Sequence, residues 1–264
     1  MGRVIAVTNQ KGGVGKTTTS VNLAASLAAT HRKVLLLDLD PQGNATMGCG
    51  VEKSDLEISA YDVLMGQVSL REALVHLEHS GFDLLPANGD LTAAEVKLMD
   101  KLAREQRLAR ALDELRGNYD YIFIDCPPSL NLLTLNALVA ADGVMIPMQC
   151  EYYALEGLSA LLGTVEDVRA TVNNRLKVEG LLRTMYDGRN NLGNDVSDQL
   201  TSHFGERVYR TIIPRNVRLA EAPSHGLPVL HYDKSSRGAM AYLALAGEII
   251  RRDAQSGDAA HHAA

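Results

Sequence analysis

The chain is poor in three things, and each shortage narrows what it can be. It has three cysteines in 264 residues. Cys49, Cys126 and Cys150 are an odd number with no close pair, so a disulfide framework is excluded and reduced thiols in a cytoplasm are expected. It has no apolar run long enough to cross a bilayer, and Met1-Gly2-Arg3-Val4 enters a strand with no secretion leader. Ala6 stands where a myristoylation pattern needs Ser or Thr. It also lacks an excess of positive charge. A formal net charge of −6 argues against a broadly basic surface. Within that acidic chain, the window Arg169–Arg218 carries nine Lys/Arg against five Asp/Glu. It is either an ordinary solvated face or a local patch for a polyanion. At 46% hydrophobic and 22% charged residues, the composition suits a soluble protein with one large α/β domain over 1–253. A polar, Ala-rich tail over 254–264 reads as disordered.

What is present is concentrated near the start. Val4-Ile5-Ala6-Val7 is an apolar run that reads as a buried strand. Asn9-Gln10-Lys11-Gly12-Gly13-Val14-Gly15-Lys16-Thr17-Thr18 follows, and then an apolar-periodic helix to about Thr30. Strand, glycine-rich turn and helix together make an anion site from backbone N–H groups and the positive end of a helix dipole. Gly12, Gly13 and Gly15 let the backbone approach phosphates. Lys16 would reach the β/γ-phosphates, and the Thr17 hydroxyl would bind Mg²⁺. The loop departs from G-x-x-x-x-G-K-[ST]: Gln10 occupies the first glycine position, and a second lysine, Lys11, heads the loop.

Lys33–Asp38 is a continuous apolar strand, as a parallel sheet requires. It ends in Asp38-Leu39-Asp40-Pro41-Gln42-Gly43. Carboxylates at the C-terminal end of such a strand point at the ligand crevice. Either Asp38 or Asp40 is a candidate for positioning or polarising water or for contacting Mg²⁺ through water; the same residues also form a turn in their own right. Tyr121–Asp125 is a second apolar strand ending in Asp, stopped by Pro127-Pro128. Asp125 would support the metal through water or Thr17. Cys126 reads as a packing residue.

Elsewhere the pattern predicts helices over Ala60–Met65, Leu70–Leu77, Leu91–Leu102 and Ala103–Leu115, with a short strand at Phe82–Pro86. Beyond Asp125 it predicts a helix over Leu130–Ala141 and a strand over Gly143–Pro147. A helix to about Thr171 follows, then a strand over Lys177–Met185. Tyr152 and Tyr153 read as packing or dimer-contact residues. A helix over Asn194–Phe204, a short strand over Val208–Ile213 and a final helix from Ser236 to about Arg252 complete the chain. Pro214 and Asn216 follow a strand end, where a nucleobase would lie. Arg189 lies in the loop after Asp187, and Arg215 and Arg218 are candidate phosphate contacts or surface ion pairs.

The sequence Lys11-Gly12-Gly13-Val14-Gly15-Lys16-Thr17-Thr18 is the deviant Walker A signature of the ParA/MinD ATPases. With Asp38–Thr46, Tyr121–Ser129, Gln149–Ser159 and Ile213–His225, the chain resembles the small chromosomal ParA/Soj-type partitioning ATPases over about residues 1–253. The resemblance implies a single-domain P-loop NTPase fold: a twisted, mostly parallel sheet flanked by helices on both faces. It implies ATP and Mg²⁺ as ligands and an ATP-sandwich homodimer in which Lys11 reaches the partner's nucleotide. Gly12 would allow the two loops to approach. Val14 and Thr18 would complete the cradle, Asp40 would position the hydrolytic water, and Pro214 with Asn216 would border adenine. Arg189 and Arg218 match family positions that bind the DNA backbone without sequence preference. A ParB-type centromere-binding partner would stimulate a weak ATPase on the nucleoid. The alternatives that share the loop are a ParA-like scaffold for a chemoreceptor or flagellar cargo and a MinD-like membrane ATPase. The end Arg251-Arg252-Asp253-Ala254 lacks the bulky apolar residues of a membrane-binding helix, so no membrane partner is expected.

Overall fold

The computed structural model describes residues 2–152 and 154–262. Tyr153 lies outside the described residues, as do Ala263 and Ala264 at the end of the expected tail. The strands are β1 (Arg3–Val7), β2 (Val34–Asp38), β3 (Val75–Leu77), β4 (Phe82–Leu85), β5 (Tyr121–Asp125), β6 (Gly143–Met148) and β7 (Lys177–Arg183). The helices are α1 (Lys16–Ala28), α2 (Asn44–Gly48), α3 (Ala60–Met65), α4 (Leu91–Met99), α5 (Arg107–Asp113) and α6 (Leu132–Ala140). They continue with α7 (Ala154–Thr171), α8 (Asn191–Phe204), α9 (Val217–Glu221), α10 (Val229–Tyr232) and α11 (Arg237–His262).

All seven strands form one sheet in the order β3-β4-β2-β5-β1-β6-β7, with only the edge strand β3 antiparallel. The four strands β1, β2, β5 and β6 are buried along their length apart from Arg3. Their near-continuous apolar sequence suits a sheet covered on both faces. One core gathers α3 to α8 on one face; the other packs α1 and α11 against Ile5, Val7, Leu36 and Phe123. The expected α/β class, with a mostly parallel sheet and helices on both faces, is what forms.

Three expected elements differ. Leu70–Leu77 is not a helix: a single 3₁₀ turn (Arg71–Ala73) leads into β3, which pairs with β4 across a turn where Gly81 takes φ 69°. Val208–Ile213 is not a strand. The backbone N–H groups of Arg210 and Thr211 donate to the Glu248 carboxylate at 2.9 and 2.8 Å. These donors are therefore unavailable to a strand ladder, and only single bridges remain, at Val208 and Pro214. The final helix does not stop near Arg252 but runs from Arg237 to His262. Among the described residues no helix is long and apolar enough to cross a membrane.

Candidate nucleotide site

The parallel register brings the chemistry to one edge. Val7, Asp38 and Asp125 are level with one another at the C-terminal ends of β1, β2 and β5. The loops that leave these ends carry Asn9–Gly15, Asp40–Gly43 and Cys126–Asn131. This is where a doubly wound sheet binds its ligands.

The loop from Asn9 to Gly15 is built as a cradle. Gly13 and Gly15 take φ of 72° and 87°, conformations that side chains resist. A Cβ on Gly12 or Gly13 would meet nothing within 4 Å, so both face open space. Gly15 precedes α1 and no side chain caps that helix, which leaves its first N–H groups free for an anion. Asn9 fastens the loop at its outer end, donating to Pro147 O at 2.8 Å and accepting from Lys11 N at 3.0 Å. Thr184 fastens it from below, its hydroxyl donating to Val14 O at 2.7 Å.

Lys16 is 7% exposed and its ammonium donates to Lys11 O at 3.2 Å across the loop. Burial lowers its pKa, opposed by the charge of Asp125. Lys11 behaves differently. Its ammonium pairs with Glu151 on the outside of the loop, and about half of each side chain is exposed. The two lysines of the signature therefore point to different places: one into the cradle, one away from it.

Asp125 is fully buried. One oxygen accepts from Ser20 Oγ at 2.9 Å, while Oδ2 has no hydrogen-bond partner among the described residues. Burial first, and then the charge of Asp38, push its carboxyl above the ordinary range; the Thr17 and Ser20 hydroxyls oppose this. A buried carboxylate oxygen without a partner is costly unless something cationic or a bound water completes it. Among the described residues no group of three His, Cys, Asp or Glu is placed to hold a metal ion. A cation held here would thus lean on Thr17 and the ligand's own phosphates, with Asp125 behind, and the orphaned oxygen fits that arrangement.

Asp38 serves the fold instead. Its oxygens accept from Thr46 N at 2.8 Å, Thr46 Oγ1 at 2.7 Å and Asp40 N at 3.1 Å. Its pKa is raised, chiefly by burial. These bonds occupy both oxygens within the Asp40–Thr46 turn. Asp40, 7% exposed, accepts from Gln42 N at 2.9 Å through one oxygen.

At the far side of the sheet edge, Pro214 bridges to Tyr186, and Asn216 precedes α9 with its side-chain Oδ1 buried and, among the described residues, without a partner. Arg189 chelates Asp187 through Nε at 2.9 Å and Nη2 at 2.6 Å while staying 90% exposed. Its guanidinium holds the Asp187 carboxyl well below the usual range, with Arg215 adding to the effect. Arg218 lies in another network, with Glu221 at 2.8 Å and Asp233 at 3.3 Å. Arg189 and Arg215 thus share one acid, and Arg218 is held by two others.

Four residues of the site carried no assigned role in the sequence. Ser20 lies one helical turn after Lys16, and that spacing could have pointed to it. Gln149, Glu151 and Thr184 come from the ends of β6 and β7, and no local pattern announces which loop they touch. The three cysteines are buried and free, and burial pushes the thiols of Cys49 and Cys126 far up, so neither is a nucleophile.

A family model described as "AAA domain" matches residues 2–178. The sporulation initiation inhibitor protein Soj of Bacillus subtilis is 55% identical over 94% of this chain and 98% of its own. The chromosome partitioning protein ParA of Caulobacter vibrioides is 51% identical over 95% of each chain. The crystal structure of cobyrinic acid a,c-diamide synthase from Mycobacterium smegmatis, with bound ADP and magnesium, superposes with a TM-score of 0.83. It is 42% identical over 95% of each chain.

Proposed function

This chain belongs to the ParA/Soj-type family of partitioning ATPases, and we propose that it is an ATP-dependent DNA-partitioning ATPase whose ATP-bound homodimer binds duplex DNA without sequence preference. The observation that carries the reading is the divergence of its two loop lysines. Lys16 lies over its own cradle, while Lys11 leaves that cradle for the surface. A second cation at the loop that does not serve its own phosphates is suited to serve those of another subunit, which makes association depend on the γ-phosphate.

In this reading the backbone of Gly12–Gly15 with Thr18 cradles ATP, and Thr17 with Asp125 supports Mg²⁺, which would neutralise phosphate charge. Asp40 orients water. Asn216 and Pro214 border the base, and the unpartnered Oδ1 of Asn216 fits an amino group there. Arg189 and Arg218, doubled in a dimer, contact phosphates of DNA, and a ParB-type centromere-binding protein accelerates hydrolysis. Summing two weak patches makes DNA affinity steep in both nucleotide state and salt. The likeness to partition proteins at 55% and 51% identity favours this over the likeness to a synthase at 42%.

The test is binding to non-specific duplex DNA with no nucleotide, with ADP and with ATP, using Asp40→Ala to hold the ATP state. Binding with ATP alone is expected. Equal binding in all three states, or none at low salt, refutes the proposal.

A further inference from the structure

At the C-terminal end of β7 one residue is held in a backbone conformation that its side chain resists. Met185 has φ of 49°, in the left-handed region where glycine and asparagine are the usual occupants. Its neighbours show what keeps it there. Thr184 is tied to the phosphate loop through Val14 O at 2.7 Å. Tyr186 is tied to the other side, its N–H donating to Ile213 O and its carbonyl accepting from Arg215 N, both at 3.1 Å. The residue between these two anchors absorbs the turn.

A turn alone would be served better by glycine, so the methionine side chain has a use. It is only half-buried. Its Sδ accepts from Gln149 Nε2 at 2.7 Å, and the same amide nitrogen donates to Gly13 O at 3.2 Å. Its methyl Cε lies 3.9 Å from the point where a Cβ on Gly15 would stand. The thioether therefore sits beside the phosphate cradle, in the segment that joins the cradle to Pro214 and Asn216. Gln149 fixes it relative to Gly13.

We propose that Met185 is an apolar platform for the nucleobase: its thioether packs against the purine ring, and Gln149 sets its distance from the phosphates. The proposal rests on the nucleotide reading above. A polarizable thioether against an aromatic ring is a favourable contact, and strained backbone residues gather at ligand clamps.

Methyl-¹³C methionine NMR tests it. The Met185 signal, identified by its loss in Met185→Leu, is expected to move upfield with saturating Mg-ADP through the ring current of the base, and to stay in place with inorganic tripolyphosphate. In parallel, Met185→Gly, which accepts the backbone angle, is expected to keep its fold by melting curve and to bind Mg-ADP about three- to tenfold more weakly. Met185→Leu should stay within about twofold. A signal that moves no further with ADP than with tripolyphosphate, or a Met185→Gly protein with unchanged ADP affinity, overturns the proposal. Lys16→Ala tests the underlying reading separately: it should lose ADP, and full retention would remove the nucleotide site itself rather than the role of Met185.

Discussion

Lys11 of the loop is paired with Glu151, which follows β6, within a single chain. The cation proposed to reach a second subunit is thus held at home. Both side chains are about half exposed, and ion pairs of this kind are worth up to about 1 kcal/mol. Such a contact restrains Lys11 without trapping it. Glu151→Gln is expected to lower the ATP concentration at half-maximal dimerisation by about two- to fivefold, read by light scattering across an ATP titration. An unchanged or higher midpoint would show that the pair does not compete with dimerisation.

Asp40 lies close enough to Lys16 for its charge to favour the ammonium, with one oxygen held by Gln42 N and no part in the bonds by which Asp38 holds Thr46. Asp40→Ala is expected to bind Mg-ATP within about threefold of the parent and to lose at least about a hundredfold in turnover, the scale of a lost positioning or general-base group. Quench-flow with labelled ATP separates the two. Normal turnover would exclude Asp40 from handling water.

The buried pair Asp38 and Asp125 has a pH signature. Both carboxyls have folded pKa values above their unfolded ones, burial being the main cause. The folded state therefore holds more protons than the unfolded state above the ordinary carboxylate pKa, and stability falls as pH rises through that window. The ligand-free protein should melt at a higher temperature at mildly acidic than at mildly alkaline pH. Asp125→Asn, which removes the charge, should flatten the slope and stabilise the ligand-free protein at neutral pH by about 1 kcal/mol or more. It should also weaken the gain in melting temperature that Mg-ATP gives the parent. A parallel pH profile in parent and variant would contradict this account.

The arginines proposed to meet DNA are each engaged by acids of their own chain: Arg189 by Asp187, and Arg218 by Glu221 and Asp233. DNA phosphates must displace these partners. Arg189→Glu with Arg218→Glu should abolish the ATP-dependent DNA shift while leaving ATP-dependent dimerisation intact. Asp187→Asn should tighten DNA binding severalfold, because Arg189 then has no internal competitor. Single replacement of either arginine by Ala should reduce the log–log salt slope by about 0.9 per lost phosphate contact, hence by about twice that in a dimer. An unchanged slope places the DNA contacts elsewhere.

The cradle was legible because its physics is local. Glycines at positive φ, a lysine, a threonine and a helix start are consecutive in the chain, and the strand before them is a plain apolar run. Asp38 and Asp125 could be placed at the sheet edge for the same reason, but their division of labour could not. That depends on Thr46 being folded back onto Asp38 and Ser20 lying under Asp125, contacts between segments whose spacing carries no signal. Glu248 shows the limit most clearly. A glutamate late in the chain, set into the last helix, takes the N–H groups of Arg210 and Thr211 and thereby turns an apolar stretch with strand-like composition into an extended connection. The apolar spacing of Leu70–Leu77 suits either element, and only pairing with β4 decides between them.

The contacts of α11 set an order of events during synthesis. The segment from Asn9 to Thr18 leaves the ribosome among the first, yet the helix it begins is buttressed by Tyr242, whose hydroxyl meets Thr19 at 3.1 Å. The approach to Pro214 and Asn216 is clamped by Glu248. A nascent chain halted before residue 242 carries the segment Asn9–Thr18 but lacks both Tyr242 and Glu248. The first helix and the connection before Pro214 are thus braced only once the last helix has been made.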